Sequence, residues 1–372
     1  MEMPLPNAMV VSRKDQLVAR LLAVLPQDSV ISDVMETRAY ECDGLTAYRC
    51  PPLCAVLPAT TKQVSDVLRI CHEMGVPVVP RGAGTSLAGG ALPTADSVIL
   101  GVAKMNDVIE TNYDDRYIRV QTGRTNLSVT GAVETNGFFY APDPSSQLAC
   151  AIAGNIAMNS GGAHCLKYGV TTNNLMGVTM VMMDGTIVEI GGAHLDAGGL
   201  DLLGVICGSE GQLGVVTEAT LRILHKPEGA RPVLMGYDNS EVAGQVVTDI
   251  IKAGVLPVAI EFLFFNGTET TEKFAQAGYP MSRNAASGIQ QESDFVVPAR
   301  FPYTDDHGGD YFRRFGERRK PLTPFVGSVP YKFYMKTNLV TVDEYCEFLN
   351  SVATSGSVLH RSADPTQSSR HN

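Results

Sequence analysis

Basic residues are in short supply: 29 lysines and arginines face 39 acidic residues, giving a net charge of -10 and a pI near 5.2. That balance excludes nucleic acid as the main partner, because phosphate backbones are bound by a basic face. The one basic run, Arg313 to Lys320, reads as a solvated surface. No apolar run approaches the roughly 18 residues that a membrane-spanning helix needs, so the chain is expected not to span a membrane. Met1 to Lys14 lacks the charged-then-apolar order of a secretory signal, which places the protein in the cytoplasm. Eight cysteines in 372 residues are too sparse for a disulfide frame. The nearest to a cluster, Cys42, Cys50 and Cys54, matches no zinc or iron–sulfur spacing, so no metal site is expected and these three are read as buried thiols.

What the chain does have is glycine, 36 residues of it, and no tryptophan, a composition of many turns. The densest stretch is Pro80-Arg81-Gly82-Ala83-Gly84-Thr85-Ser86-Leu87-Ala88-Gly89-Gly90-Ala91. Glycine without Cβ lets a backbone take φ > 0 and approach a ligand closely, and consecutive N–H groups in such a loop form a nest for phosphate. The third glycine after Gly82 and Gly84 comes too late for the G-x-G-x-x-G dinucleotide loop, and no Gly-Lys-Ser/Thr follows for a P-loop. The loop reads as an anion cradle of another type, with a tight turn as the alternative.

Around it, local signals predict alternating elements. Leu17, Val18, Leu21, Leu22 and Leu25 have helical spacing up to Pro26; Tyr40 to Leu45 reads as a turn and Ala55 to Pro58 as a strand. A helix from Thr61 through Val64, Val67, Leu68 and Cys71 leads by Gly75 into a buried strand, Val76 to Val79, and so to the cradle. That β-α-β order puts the loop at a strand end, where open α/β sheets bind ligands. Ser97 to Ala103 and Tyr117 to Thr122 read as strands, and Thr125 to Thr135 as a helix closed by Gly137.

Two further stretches are unusual, with close packing as the alternative reading of the small-residue helix in the first. Pro142-Asp143-Pro144-Ser145-Ser146 feeds a small-residue helix, Cys150 to Asn159, whose N-terminus offers free N–H groups and a positive dipole end. Gly208-Ser209-Glu210-Gly211-Gln212-Leu213-Gly214 to Glu218 is a third glycine-bearing loop, running into a strand from Ala219 to Leu224. Between them, Tyr168 to Leu175 reads as a polar loop, and Val178 to Ile190 as a hairpin about Asp184-Gly185. Three such loops converge on one shared ligand.

Taken together, Pro80 to Leu87, Pro142 to Ser146, Asn159-Ser160-Gly161-Gly162, Lys167-Tyr168-Gly169, Asp184-Gly185 and Gly208 to Glu218 resemble the FAD-binding domain of the vanillyl-alcohol oxidase type. The resemblance is strongest to the FAD-linked glycolate oxidase catalytic subunit and D-lactate dehydrogenase family, and it covers about residues 15 to 262. It implies an α+β fold of two subdomains with FAD between them. It also implies that Arg81, Gly82, Ala83, Gly84, Thr85 and Ser86 hold the pyrophosphate, and that Pro142, Asp143, Ser145 and Ser146 flank the dinucleotide. Asn159, Ser160, Gly161 and Gly162 would line its flavin side, and Glu210, Gly211 and Val216 its adenosine side. A histidine for covalent flavin attachment is missing from Arg81 to Ala91, so FAD is expected to be held without a covalent bond.

The resemblance further implies oxidation of a small 2-hydroxy acid, glycolate or D-lactate, in company with other oxidase subunits of FAD-binding and iron–sulfur type. Through such subunits the chain would sit peripherally at the inner face of the membrane. The family's His-Ala-Gly-Asp-Gly-Asn stretch and its acidic-His-Gly signature do not occur, and none of the seven histidines takes their place, so no catalytic residue is assigned. The alternative reading is a non-catalytic FAD-binding module or truncated remnant. The expected organisation is a FAD-binding domain over 1–228, a truncated substrate-domain remnant over 229–294, a proline-rich linker over 295–330, a short strand-helix segment over 331–354 and a disordered tail over 355–372. The strand-helix segment resembles the opening of a sulfatase-modifying factor domain, on Val340 to Asn350.

Overall fold

The computed structural model describes residues 3–194, 199–227, 230–231, 235–237, 240–263, 294–297 and 301–302. They fall into two compact units, the larger made of 1–162 with 169–226 and the smaller of 163–168 with the residues from 227 onward.

The larger unit begins with helix α1 (Lys14–Leu22), an edge strand β1 (Val30–Ile31) and strand β2 (Cys54–Val56). Helix α2 (Thr61–Met74) follows, then β3 (Val78–Arg81) and β4 (Val98–Gly101). The sheet order is β1-β2-β4-β3, with β2 and β3 both parallel to β4. Local chemistry sets the limits of α2. The Thr60 hydroxyl accepts from the Gln63 N–H, and Gly75 caps the far end in the left-handed region at φ 66°. Between these caps Val64, Val67, Leu68 and Cys71 recur at helical spacing and are fully buried. The strand before the glycine loop sits two residues later than expected and is half-buried, because its ladder with β4 runs on through Pro80 and Arg81.

Strands β5 (Val108–Asn112) and β6 (Tyr117–Gln121) open the second subdomain, followed by helices α3 (Asn126–Val133) and α4 (Ile152–Met158). Strands β7 (Leu175–Val181), β8 (Ile187–Gly191) and β9 (Val215–Arg222) complete an antiparallel sheet of order β5-β6-β9-β7-β8. The β7–β8 turn forms where Asp184-Gly185 predicted it, with Gly185 at φ 86° and the Thr186 N–H on the Asp184 carboxylate. Strand β9 starts four residues earlier than expected: Val215 and Val216 pair with Val181 and Met180, so a ladder continues into what reads as loop. Likewise Thr171–Asn174 is a turn of 3₁₀ helix rather than open loop.

The two subdomains share a core. Val181 and Val215 of the second sheet pack among the buried residues around α2, and the Ser65 hydroxyl donates to the Gly185 carbonyl at 2.6 Å. Of the three cysteines expected to be buried, only Cys54 is; Cys42 and Cys50 lie half-buried. Burial pushes the thiols of Cys54 and Cys71 up to about 12. At pH 8 that leaves about one thiol in ten thousand as the reactive thiolate. Iodoacetamide should therefore leave both unlabelled in the native protein and label both in denaturant, as peptide mass mapping would read.

In the smaller unit, β10 (Met235–Tyr237), helix α5 (Ser240–Lys252), β11 (Glu261–Leu263) and β12 (Asp294–Val297) form a three-stranded sheet of order β10-β12-β11 with one helix. The linker expected from 295 thus begins inside a strand, one whose four residues, Asp-Phe-Val-Val, are too few to announce a period. Residues 264–293 of the expected substrate-domain remnant, the strand-helix segment over 331–354 and the tail over 355–372 lie outside the described residues. Among the described residues no helix is long and apolar enough to cross a membrane.

Candidate functional site

The glycine loop leaves the C-terminal end of β3 and is closed by its own first residue. The Arg81 guanidinium donates through Nη1 to the carbonyls of Cys42 at 2.7 Å and Ala91 at 3.2 Å, and sits 5.7 Å from the Tyr40 ring centre. Burial pulls this guanidinium below its ordinary pKa, with Cys42, Tyr40 and Asp43 opposing. Gly84, at φ 73°, lies against it: a Cβ there would overlap the guanidinium, with Nε only 2.7 Å away. With its Nη1 bonds directed at carbonyls, Arg81 shapes the loop. The N–H groups of Ala83, Gly84, Thr85 and Ser86 have no acceptor among the described residues, and all four residues line a cavity of about 310 Å³. Consecutive unpaired N–H groups beside a cavity are the kind of donor that an anion nest uses.

The second stretch faces the first. The Ser146 hydroxyl reaches the Thr85 hydroxyl at 3.5 Å, and Gly82 meets α4 so closely that a Cβ on it would stand 3.2 Å from the Gly154 nitrogen and 3.4 Å from the Ala151 Cβ. The small residues of α4 thus serve close approach. Its N-terminus offers fewer free donors than expected: the helix starts at Ile152, where the Ile152 N–H donates to the Arg124 carbonyl at 3.0 Å and the Ala153 N–H to that of Thr122 at 2.8 Å, while the N–H of Gly154, a cavity residue, has no acceptor among the described residues. Ser145 and Ser146 instead belong to a turn whose Ser146 carbonyl accepts from Ala149 and Cys150.

The third stretch is stitched to the other end of α4. The N–H groups of Gly208 and Glu210 donate to the carbonyls of Ile156 and Ala157, each at 2.8 Å, and Glu210 takes φ 55°. A Cβ on Gly211 would stand 3.5 Å from Pro80, and one on Gly90 would stand 3.9 Å from the Glu210 carboxylate. All three loops therefore meet at one place.

Of the residues singled out from sequence, 81–86, Ser145, Ser146, Ser160, Gly161, Glu210, Gly211 and Val216 line the cavity. Pro142, Asp143, Asn159 and Gly162 do not. Asn159 is a helix cap at φ 48° whose side-chain oxygen accepts from the Thr172 N–H at 3.0 Å and, at 3.5 Å, from Cys207 Sγ. Gly162 packs on Asp143, leaving no room for a Cβ. Gly154 and Ser209, which sequence reasoning placed in the small-residue helix and the third loop without a role of their own, also line the cavity; it passed over Asn155, which lines it too, and Asp43 and Gly44, which brace it from behind. Only the turn-forming Asp-Gly pair hinted at the last two. Among the described residues no group of His, Cys, Asp and Glu could hold a metal ion.

Such a wall fits a dinucleotide: unpaired N–H groups and hydroxyls for phosphate, small residues beside them, and a volume in the range of ligand pockets. Comparison with known proteins agrees. Residues 52–191 match the family described as FAD binding domain. The glycolate oxidase subunit GlcD of Escherichia coli (strain K12) is 47% identical over 246 residues, 66% of this chain and 49% of the relative. GlcD of Bacillus subtilis (strain 168) is 40% identical over 262 residues, 70% of this chain and 56% of the relative. A D-lactate dehydrogenase of Anaerostipes hadrus is 29% identical over 70% of this chain and 54% of its own length. The chain thus spans about half the length of the curated relatives it matches. Among solved structures, alkyldihydroxyacetonephosphate synthase superposes with a TM-score of 0.69 at 19% identity, over 86% of this chain and 60% of that one. The p-cresol methylhydroxylase with substrate bound gives 0.68 at 17% identity, over 84% and 65%. These likenesses identify the fold as the two-subdomain, vanillyl-alcohol-oxidase-type FAD-binding fold.

Proposed function

We propose that the chain belongs, through its FAD-binding domain, to the FAD-linked glycolate oxidase and D-lactate dehydrogenase family, and that it serves the oxidation of a small 2-hydroxy acid. The observation that carries the reading is the row of unpaired N–H groups from Ala83 to Ser86 on the cavity wall. In it the FAD pyrophosphate lies on that nest, with Thr85 and Ser146 hydroxyls as further donors. Ser145, Ser160 and Gly161 border the flavin end, and Glu210, Gly211 and Val216 the adenosine end. Pro142, Asp143, Asn159 and Gly162 act from behind, by fixing the backbone of the residues that line the wall. The wall holds and orients; FAD, when bound, supplies the acceptor for hydride from the α-carbon of the acid.

Partner subunits of FAD-binding and iron–sulfur type take the electrons onward in this reading. They would hold the chain, from the cytoplasm, at the inner face of the membrane. The test is anaerobic mixing of the purified, FAD-loaded protein with glycolate or D-lactate while visible flavin absorbance is followed. Bleaching by either acid supports the oxidation. Bound FAD that is released on denaturation, but is never bleached, assigns a non-catalytic FAD-binding module instead.

A further inference from the structure

The segment Tyr40 to Leu45 lies outside the cavity wall, yet it holds the glycine loop at several points. The Asp43 carboxylate, itself buried, accepts from the Gly89 N–H at 2.8 Å and, through its other oxygen, from the Leu45 N–H at 3.0 Å. The Gly44 N–H donates to the Ser86 carbonyl at 3.0 Å. Gly44 also packs against the loop so tightly that a Cβ would stand 2.7 Å from the Thr85 carbonyl oxygen and 3.1 Å from that of Ser86. The Cys42 carbonyl takes the Arg81 guanidinium. These contacts fix the carbonyls of Thr85 and Ser86 on the strap side of the loop. The neighbouring N–H groups are the ones without acceptors at the cavity.

We infer that Asp43 and Gly44 are positioning residues for pyrophosphate: the strap holds the loop in its anion-receiving form before any ligand arrives. The inference rests on the cofactor site proposed above. A preformed nest binds better than one that must be ordered, since a ligand's apparent affinity falls with the population of the competent form. The carboxylate does this without touching the ligand. By occupying the Gly89 N–H it also confines the nest to the first half of the loop.

Asp43→Asn tests this with little change of shape. The amide keeps one acceptor and presents a donor to the N–H group the other oxygen served. Losing one charge-assisted buried hydrogen bond should weaken FAD and ADP about ten- to a hundredfold, and leave adenosine, which lacks phosphate, unaffected. In phosphorus NMR the pyrophosphate signals of bound FAD should shift relative to wild type. A residue with a merely structural role would lower melting temperature without moving those signals. Should Asp43→Asn fail to fold, Gly44→Ala removes no charged group and pushes first on the Thr85 and Ser86 carbonyls, with the same expected losses for FAD and ADP. Wild-type affinity and unshifted phosphorus signals in the folded variants would overturn the inference while leaving the cofactor site standing. Equal weakening of adenosine would overturn it too. A wild-type protein that binds neither FAD nor ADP would overturn the site itself and the inference with it.

Discussion

Gly84→Val should lose FAD binding by about a thousandfold, to the point that the purified variant is colourless after gel filtration with excess FAD. Two costs add. A β-branched residue at φ 73° is strained by about 1–3 kcal/mol. Its Cβ would also occupy the space of the Arg81 guanidinium, which cannot swing away without giving up its bonds to Cys42 and Ala91. Hydrogen bonds from a charged donor are worth about 1.5–3 kcal/mol each, and those two close the loop. Gly84→Ala meets the same guanidinium with less backbone strain and should fall between the wild type and the valine variant. Fluorescence titration of the apo-protein with FAD reads both, and a valine variant that binds within tenfold of wild type would show that the phosphate lies elsewhere.

Much of this was legible in sequence because the signals are local. Helix α2 carries its cap at Thr60 and its stop at Gly75, and the β7–β8 hairpin carries its Asp-Gly turn, all within a few residues of the elements they define. The glycine loop was legible as an irregular turn at a strand end for the same reason. What was hidden depends on distant partners. The Gly89 N–H finds its acceptor 46 residues away on Asp43, and no pattern in the sequence joins a lone Asp-Gly turn to a phosphate loop. Strand β9 begins at Val215 only because β7 lies beside it. Two N-terminal donors of α4, those of Ile152 and Ala153, look free until Arg124 and Thr122 supply their carbonyls. Helices of four residues, Ala8–Val11 and Val34–Thr37, are too short to show a period at all.

Gly162→Ala should destabilise the protein and weaken FAD together, although Gly162 does not line the cavity. Its φ lies outside the left-handed region, so alanine is acceptable to the backbone itself. The obstacle is Asp143, whose carbonyl oxygen occupies the place of the new Cβ and whose Oδ1 stands 2.5 Å from it. A backbone carbonyl has no rotamer by which to retreat, so one segment must move away from the other. Overpacking of this kind costs about 1–3 kcal/mol, and occasionally more. For a unit of this size each 1 kcal/mol lowers the melting temperature by about 2–4 °C, so a fall of about 2–12 °C is expected by thermal melting. The segments that must part carry Pro144, Ser145 and Ser146 on one side and Ser160 and Gly161 on the other, all of them cavity wall. The affinity loss should therefore persist at temperatures where the variant is fully folded. Gly131→Ala is the contrast: exposed within α3 with nothing within 4 Å of the new Cβ, it should stabilise by about 0.5–1 kcal/mol and leave FAD affinity alone. If Gly162→Ala melts like wild type and binds FAD as tightly, the two wall segments are not held to each other at Asp143, and the close packing there does not shape the site.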